Sequence, residues 1–428
     1  MQSFYLESFG CKVSYYDGEK LAATISEFGL KRVLATEIPD LVIINGCAVT
    51  GRASQKVRQS LRSAKRTWPD AKILLAGCEA RRAQIQSTDQ AFGTESHQEY
   101  ELIDTNSTKE QIREILTKLG FDCNRSENQF HENTFPIFER TRAFLKIQDG
   151  CSHFCTYCIV PFLRGKEYSK PLAESITEAS KIALSGKKEI VLTGIHLGKY
   201  EFGLTHLLRE FDNNEPLQGI ERIRLSSIEP LEINDDLLSW MAESPKACHH
   251  LHIPLQSGSS EVLKRMNRPY DTRTFSTIVE KARKLIPGIA ITTDLIVGFP
   301  GEKDAEFDET TNFLREISFS RIHIFRFSPR NGTPAANFPD QIPASVKQQR
   351  SKAVEEIWKN SALKFHQSFI GKKIEVLWEF QANHHWEGFS REYIRCVMPE
   401  TFSKEDYSNS INIVEAVSAD EKQLKTIS

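Results

Sequence analysis

No stretch of the chain approaches the ~18 consecutive apolar residues that a helix needs to cross a bilayer, which excludes a helical membrane protein. The opening run from Met1 to Gly10 has neither the basic segment nor the apolar core of a secretory leader. An excess of charge of one sign is also missing. With 55 Lys and Arg against 57 Asp and Glu, nothing draws the whole molecule to nucleic acid, so any such partner must be argued from a local patch. Nine cysteines are an odd number, which excludes a fully paired secreted framework. In a long chain without a leader they predict a cytoplasmic protein whose thiols are metal ligands or catalytic groups. At 428 residues, 39% hydrophobic and 26% charged, the chain reads as a globular enzyme of two or three domains.

What is there is concentrated in one loop. Asp149-Gly150-Cys151-Ser152-His153-Phe154-Cys155-Thr156-Tyr157-Cys158 carries three thiols in ten residues. Thiolates spaced x3 and x2 can wrap one face of an iron–sulfur cluster. Such clusters normally take four protein ligands, so a three-ligand cluster keeps one iron open for substrate or cofactor. A zinc site of three cysteines plus His153 is the competing reading, although His153 lies inside the tight loop and its ring would have to fold back.

Upstream, three short apolar runs, Phe4 to Phe9, Leu41 to Ile44 and Ile73 to Ala76, lead into Cys11, Cys47 and Cys78, each preceded by glycine. Helical periodicity separates them over 20–28 and 54–66. Strands alternating with helices predict a parallel α/β sheet, in which all strand carboxyl ends share one edge. Cysteines just past three of those ends are expected to converge into a second three-ligand site, and glycine permits the close approach. Three ordinary buried cysteines are the alternative. Arg52, Lys56, Arg58, Arg62, Lys65 and Arg66 make the second helix basic, either as a solvated face or as a phosphate-contacting surface. Cys123 falls in a polar stretch, 122–133, that reads as a linker.

From Ala143 the pattern repeats strand then helix. Strands are predicted at 143–148, 189–193, 222–227, 250–255, 289–297 and 322–327, and helices at 171–186, 203–213, 234–244, 271–286 and 302–317. Six such units predict an incomplete version of the (β/α)8 barrel, whose functional residues collect at strand carboxyl ends. The three-cysteine loop follows the first strand. Thr193-Gly194, Ser226 to Pro230, Gln256 to Ser259 and Gly298 to Glu302 punctuate the others, collectively a cofactor pocket. His249, His250 and His252 beside Cys248 resemble a metal cluster at first sight. Strand alternation sends His250 and His252 to one face and His249 to the other, which favours packing or substrate contacts. The last segment turns β-like at 374–379, 393–397 and 411–414, a small barrel. Trp386, Phe389, Arg391, Tyr393 and Arg395 interleave aromatic and basic groups as single-stranded RNA contacts do, yet the segment 366–428 holds seven Lys/Arg against ten Asp/Glu.

These motifs together resemble the methylthiotransferases of the radical S-adenosylmethionine superfamily along nearly the whole chain. The cysteines at 151, 155 and 158 match the superfamily loop. Cys11-Lys12-Val13, Asn45-Gly46-Cys47-Ala48-Val49-Thr50 and Ala76-Gly77-Cys78 match the family's amino-terminal ligand motifs. Leu255-Gln256-Ser257-Gly258-Ser259 and Arg326-Phe327-Ser328-Pro329-Arg330-Asn331-Gly332-Thr333 are further family signatures. Ser14 stands where Asn is usual, Gly46 where Thr is usual, and the last domain is acidic.

The resemblance implies an α/β architecture: a parallel methylthiotransferase domain over 1–125, an incomplete (β/α)6 radical barrel over 137–365 and a TRAM-like β-barrel over 366–428. It implies two [4Fe-4S] clusters, one on Cys151, Cys155 and Cys158 and one on Cys11, Cys47 and Cys78. The first would cleave S-adenosylmethionine to a 5′-deoxyadenosyl radical that takes hydrogen from adenosine C2, and the second would supply the methylthio group. Tyr157, Thr193, Gly194, Ser226, Glu229 and Gln256 are the candidate cofactor contacts, though each could serve only to shape a turn. The partners implied are the anticodon loop of tRNA and an electron donor such as flavodoxin or ferredoxin.

Phe144 to Cys151 and Ile190 to Ile195 look most like the branch acting on N6-threonylcarbamoyladenosine at tRNA position 37. The alternatives are the branch acting on N6-isopentenyladenosine there, the branch acting on a ribosomal protein aspartate, and a zinc-stabilised RNA-binding protein.

Overall fold

In the computed structural model, which describes residues 2–85, 100–104, 107–123, 140–399 and 406–427, the apolar runs near the amino terminus pair side by side. The elements are β1 (Ser3–Ser8), α1 (Lys12–Glu27), β2 (Lys31–Arg32), β3 (Leu41–Gly46), α2 (Gly51–Thr67), β4 (Lys72–Ala76), α3 (Gly77–Ile85), β5 (Glu101–Ile103) and α4 (Lys109–Lys118). Their sheet runs β2-β1-β3-β4-β5, and every pairing is parallel. The central strand shows why. Leu41 and Ile43 pack with Ile25, Ile112 and Leu116 of α1 and α4, while Val42 and Ile44 pack with Val57, Leu61 and Ala64 of α2. Apolar residues on both faces are what a strand covered by helices on each side requires.

Two expectations are corrected here. Cys123 is 5% exposed within the first of these cores, so the chain through 123 belongs to the domain and not to a linker. The first helix begins at Lys12 rather than near Lys20, because Ser14, Asp17 and Glu19 are buried polar residues that interrupt the apolar period by which a helix is read.

The following elements are β6 (Ala143–Lys146), β7 (Gln148–Asp149), α5 (Val160–Arg164), β8 (Tyr168–Ser169), α6 (Leu172–Leu184), β9 (Glu189–Thr193), α7 (Leu204–Asn213), β10 (Arg222–Leu225) and α8 (Asp235–Glu243). After them come β11 (His250–His252), α9 (Ser260–Arg265), α10 (Thr272–Leu285), β12 (Ala290–Val297), α11 (Asp304–Ile317) and β13 (Arg321–Arg326). Two parallel three-stranded sheets, β10-β9-β6 and β11-β12-β13, are joined by bridges from Ile223 to Ala247 and from Ser227 to His252. The six expected strands therefore stand in sequence order. Helix α9, six residues long, is too short to show a period and was not expected.

A long helix, α12 (Ala344–Gln367), leads to β14 (Lys373–Ala382), β15 (His385–Ser390), β16 (Arg395–Pro399), β17 (Ile411–Ala419) and β18 (Gln423–Ile427). These close into a barrel in the order β14-β15-β16-β18-β17. Strand β15 was not foreseen. Its two-residue hairpin, Asn383-His384, has both φ values positive at 48° and 61°, the conformation usually marked by a glycine that is missing here.

The chain forms two units, Met1–Glu139 with Ile159–Lys166, and Arg140–Cys158 with Glu167–Ser428. Within the second unit the small barrel is bonded to the large one through buried charge. Glu189 is fully buried. Burial alone would raise its carboxyl, but Arg224, Arg142 and Arg222 hold it below the usual carboxylate range. Arg224 bonds Glu189 at 2.7 Å and donates to the carbonyls of Arg391 and Ser390 at 3.0 and 3.1 Å. Arg222 reaches the Glu375 carboxylate at 2.7 Å and the Phe389 carbonyl at 2.9 Å.

This network consumes the residues expected to touch RNA. Trp386 lies in the small barrel's core. Phe389 and Tyr393 stack together beneath the Arg142 guanidinium, and Arg391 pairs with Glu375 while Arg395 pairs with Glu387. Removing one partner of a buried ion pair costs about 3–5 kcal/mol. Glu189→Leu is expected to lower stability by that amount, read as a fall in the urea midpoint of the second unit, whereas exposed Glu243→Leu leaves it unchanged.

Candidate active site

The sheet brings Cys11, Cys47 and Cys78 to one edge, because β1, β3 and β4 are neighbours and each thiol follows a strand's carboxyl end. Cys11 is the N-cap of α1, and its Sγ accepts the Ser14 N–H at 3.5 Å. Glycine is required beside it. Gly10 has φ +125°, and a Cβ there would lie 2.5 Å from the Cys47 Cβ. Gly77 has φ +82°, and a Cβ would meet the Asn45 Oδ1 at 2.4 Å. Asn45 is itself fixed by donating to the Ser14 carbonyl at 2.6 Å.

Burial pushes the Cys47 thiol up to about 12, with Cys11 and Cys78 adding like charge, and burial pushes Cys78 up to about 11. The three thiols thus sense one another. Buried thiols that resist ionisation are stable as thiolates only beside positive charge, which a metal centre supplies as it displaces their protons.

One cation is already present. Arg164, from α5, donates to Asp17 at 2.8 Å with both side chains nearly fully buried, and its charge lowers the Cys78 and Cys47 thiols. Ile159 and Leu163 of the same segment pack on Cys78. Arg164 had no assigned role in the sequence. Its proximity to Asp17 spans 147 residues, and nothing local announces it.

Cys151, Cys155 and Cys158 lie on the loop between β7 and α5, in the second unit. Gln148 closes that loop, donating to the carbonyls of Asp149 and Gly150 and accepting the His196 N–H at 2.7 Å. Cys155 is buried, and its Sγ accepts from the Arg268 Nη1 at 3.2 Å. The same guanidinium pairs with Glu229 and donates to the Tyr270 hydroxyl at 3.1 Å. Thr156 and Phe154 are tied to α9 and the residues just after it, so the unforeseen helix is what anchors the loop. Arg268, Gln148 and His196 are site residues that sequence reasoning missed.

The six candidate cofactor contacts divide. Thr193 ends β9, and Gly194, Ser226 and Gln256 follow strand carboxyl ends. The Ser226 hydroxyl is buried without a hydrogen-bond partner among the described residues, as a ligand-binding group awaiting its ligand would be. Gly194 packs against Gln148. Gln256, at φ 65°, holds a conformation that costs energy for a residue with a side chain. Glu229 is engaged by Arg268, and Tyr157 packs beside Met266, Ile296 and Phe299.

The donor geometry can be compared with a single zinc ion. Tetrahedral zinc with bonds of about 2.3 Å needs its thiolates ~3.8 Å apart. Among the described residues the one trio of donors within 4.8 Å of one another is His252, Asp294 and His323, so neither cysteine trio is that tight. The His153 ring packs edge-on against His196, with centroids 4.5 Å apart. His250 and His252 share Thr292 Oγ1, each at 2.9 Å, as alternation requires. The other His252 nitrogen faces Asp294 at 3.3 Å.

A family model described as the radical SAM superfamily matches residues 145–314, and one described as an uncharacterized protein family, UPF0004, matches 3–95. The chain is 36% identical to the threonylcarbamoyladenosine tRNA methylthiotransferase MtaB of Bacillus subtilis, over 94% of this chain and 91% of that protein. It is 37% identical to the enzyme of that name from Thermotoga maritima, over 89% and 87%. A tRNA-2-methylthio-N(6)-dimethylallyladenosine synthase of Clostridium botulinum is 34% identical over 88% and 86%. Among solved structures, the radical S-adenosylmethionine methyltransferase TsrM of Kitasatospora setae aligns over 78% of this chain and 77% of its own, with TM-score 0.54 at 13% identity, a likeness of fold.

Arg164→Ala removes the guanidinium that pairs with buried Asp17 and is expected to cost about 3–5 kcal/mol. Urea unfolding of the double variant Arg164→Met with Asp17→Leu should recover most of that loss. Equal losses in the single and double variants would refute the pairing.

Proposed function

Because the chain belongs to the tRNA methylthiotransferases of the radical SAM superfamily, we propose that it methylthiolates C2 of N6-threonylcarbamoyladenosine at position 37 of tRNA. The observation that carries the reading is the pair of cysteine trios, one gathered at three strand carboxyl ends of the amino-terminal parallel sheet and one on a single loop of the second unit. One thiol set would satisfy a radical enzyme that only abstracts hydrogen. A second set is needed where a sulfur-bearing group must also be delivered.

As a superfamily member the protein uses a [4Fe-4S] cluster and S-adenosylmethionine. Cys151, Cys155 and Cys158 would hold that cluster, which with S-adenosylmethionine would supply the radical chemistry at C2, and Cys11, Cys47 and Cys78 would hold a second cluster that would supply the methylthio group. The remaining work falls to the chain. Arg268 fixes Cys155 and Glu229 relative to each other, through bonds to both. Gln148 and Gly194 set the curvature of the loop. The free Ser226 hydroxyl and Gln256 orient the cofactor at the strand ends, with Thr193 and Tyr157 lining the same rim. Arg164 offsets the negative charge of the thiolates at Cys47 and Cys78.

The three working parts are 1–125 for sulfur delivery, 137–365 for radical generation and 366–428 as the terminal TRAM-like module. The partners are a tRNA anticodon loop and a small cytoplasmic electron donor of the flavodoxin or ferredoxin kind. The threonylcarbamoyl branch is favoured over the isopentenyl one because the chain resembles it around Phe144 to Cys151 and because proteins bearing its name align at 36% and 37% identity.

Anaerobic reconstitution is expected to load about eight irons per chain, as two four-iron clusters require. Replacing Cys11, Cys47 and Cys78 by Ala should leave about four, and so should replacing Cys151, Cys155 and Cys158. Stoichiometric zinc with no iron would reject the cluster assignment. Incubation of the reduced protein with S-adenosylmethionine and threonylcarbamoylated tRNA, followed by nucleoside mass analysis, should show the 2-methylthio derivative. Modification of isopentenylated tRNA instead would move the chain to the other branch.

A further inference from the structure

Helix α2 is divided cleanly in two. Ser54, Val57, Ser60, Leu61 and Ala64 are buried, while Arg52, Lys56, Arg62, Lys65 and Arg66 are exposed and Arg58 is half-buried. At 100° per residue the buried set spans about 120° of the helix and the six cations span the opposite half. The 17-residue helix contains no Asp or Glu. Its outward face carries only cations and small neutral polar groups.

A merely solvated helix face does not look like this. Exposed helices gain stability by alternating charges at i,i+4, and like charges at that spacing destabilise them. Here Arg52 and Lys56, Arg58 and Arg62, and Arg62 and Arg66 are like pairs four apart. Helix α4 of the same unit mixes its signs, as Lys109-Glu110 and Arg113-Glu114 show, and its end lysines pair with Glu27 and Glu101. Ion pairs within this unit engage Arg32, Arg81, Arg82, Lys109, Lys118 and Arg164. Among the described residues none engages Arg52, Lys56, Arg58, Arg62 or Arg66. Removing the six cations of α2 from the total leaves 49 Lys and Arg against 57 Asp and Glu. The rest of the chain is therefore net acidic, while this helix carries cations alone.

We propose that the outward face of α2 is a docking surface for the phosphate backbone of the RNA substrate. The proposal rests on the reading of tRNA as that substrate. A polyanion neutralises closely spaced cations that repel one another in the free protein, and its binding releases counterions. The aromatic and basic residues of the small barrel do not offer this, because their charges are already matched internally.

The test is the salt dependence of tRNA binding by the reconstituted full-length protein, measured by fluorescence anisotropy between about 50 and 300 mM KCl. Each phosphate contact contributes about 0.7 to 0.9 to the slope of log K against log[salt]. The triple variant Arg58→Gln, Arg62→Gln, Arg66→Gln should lower the slope by about 2 to 3 and weaken binding about ten- to a hundredfold near 150 mM salt. Iron content and melting temperature should stay at the unsubstituted values. A control variant, Lys109→Gln with Lys118→Gln, removes cations that already have partners and should leave the slope unaltered. In the unsubstituted protein, 4-thiouridine crosslinks from bound tRNA should map to the peptide 51–67.

An unaltered slope in the triple variant, with crosslinks elsewhere, would overturn the docking surface while leaving the proposed reaction intact. Loss of binding to an acidic electron-donor protein without loss of tRNA binding would assign the face to that donor and equally overturn the proposal. Absence of any salt-dependent tRNA binding by the unsubstituted protein would overturn both readings.

Discussion

Everything chemical in this protein depends on the direction of its strands. In a parallel sheet neighbouring strands lie about 4.8 Å apart and all end on the same edge, so residues tens of positions apart in sequence become neighbours when each follows a strand. The amino-terminal sheet uses this for Cys11, Cys47 and Cys78, and the larger barrel uses it for the three-cysteine loop, Thr193, Ser226 and Gln256. The constraint then passes to the turns. A strand end crowded by its neighbours leaves no room for side chains on the backbone that carries the thiol. Gly10 and Gly77, both at positive φ with a neighbouring side chain or backbone atom closer than 3 Å to where a Cβ would be, are as necessary to the thiol arrangement as the cysteines.

Buried charge is the second organising force, and it works through geometry more than through net stability. A desolvated ion pair seldom outcompetes apolar packing of the same volume, but once formed it tolerates few alternative arrangements. The Glu189, Arg222 and Arg224 network fixes how the small barrel is held within the second unit. Arg164 with Asp17, and Arg268 with Glu229, each bring a guanidinium to a thiol. In both cases the carboxylate holds the arginine in place, leaving other N–H groups to face sulfur. Hydrogen bonds to sulfur and nearby positive charge are among the features that tune an iron–sulfur centre.

Strands and cysteine motifs could be read from the sequence because period, turn chemistry and spacing are local. The six strands of the larger barrel and the ordering of the amino-terminal sheet follow from that. What escaped was of two kinds. Elements whose buried faces are polar, such as the first turns of α1, lack the apolar rhythm that marks a helix, and α9 is too short to have one. Residues such as Arg164 and Arg268 act on partners 147 and 113 positions away, so their meaning exists only in the folded chain. The reverse error occurred at Phe389, Arg391 and Tyr393. Aromatic and basic residues interleaved along a chain suit RNA, but the same types also make cation–π and ion-pair packing, and here Arg142, Arg224 and Glu375 claim them.

The two departures from family motifs near the amino-terminal thiols can be judged by what surrounds them. At position 46, where Thr is usual, a Cβ would lie 2.8 Å from Val57 and 3.0 Å from the Glu79 side chain. The space a threonine would need is filled from α2 and α3, and Glu79 is held there by Ser54 and Arg82. Glycine at 46 is therefore matched by its neighbours and does not leave a gap beside Cys47. At position 14, where Asn is usual, the Ser14 hydroxyl donates to the Phe9 carbonyl at 3.1 Å while its backbone N–H remains on Cys11 Sγ. The hydrogen bond that orients Cys11 comes from the main chain, so it does not depend on which side chain occupies 14. Both departures thus fall on positions where the orientation of the thiols is set by backbone and by adjacent helices, and neither weakens the case that Cys11, Cys47 and Cys78 act as one ligand set.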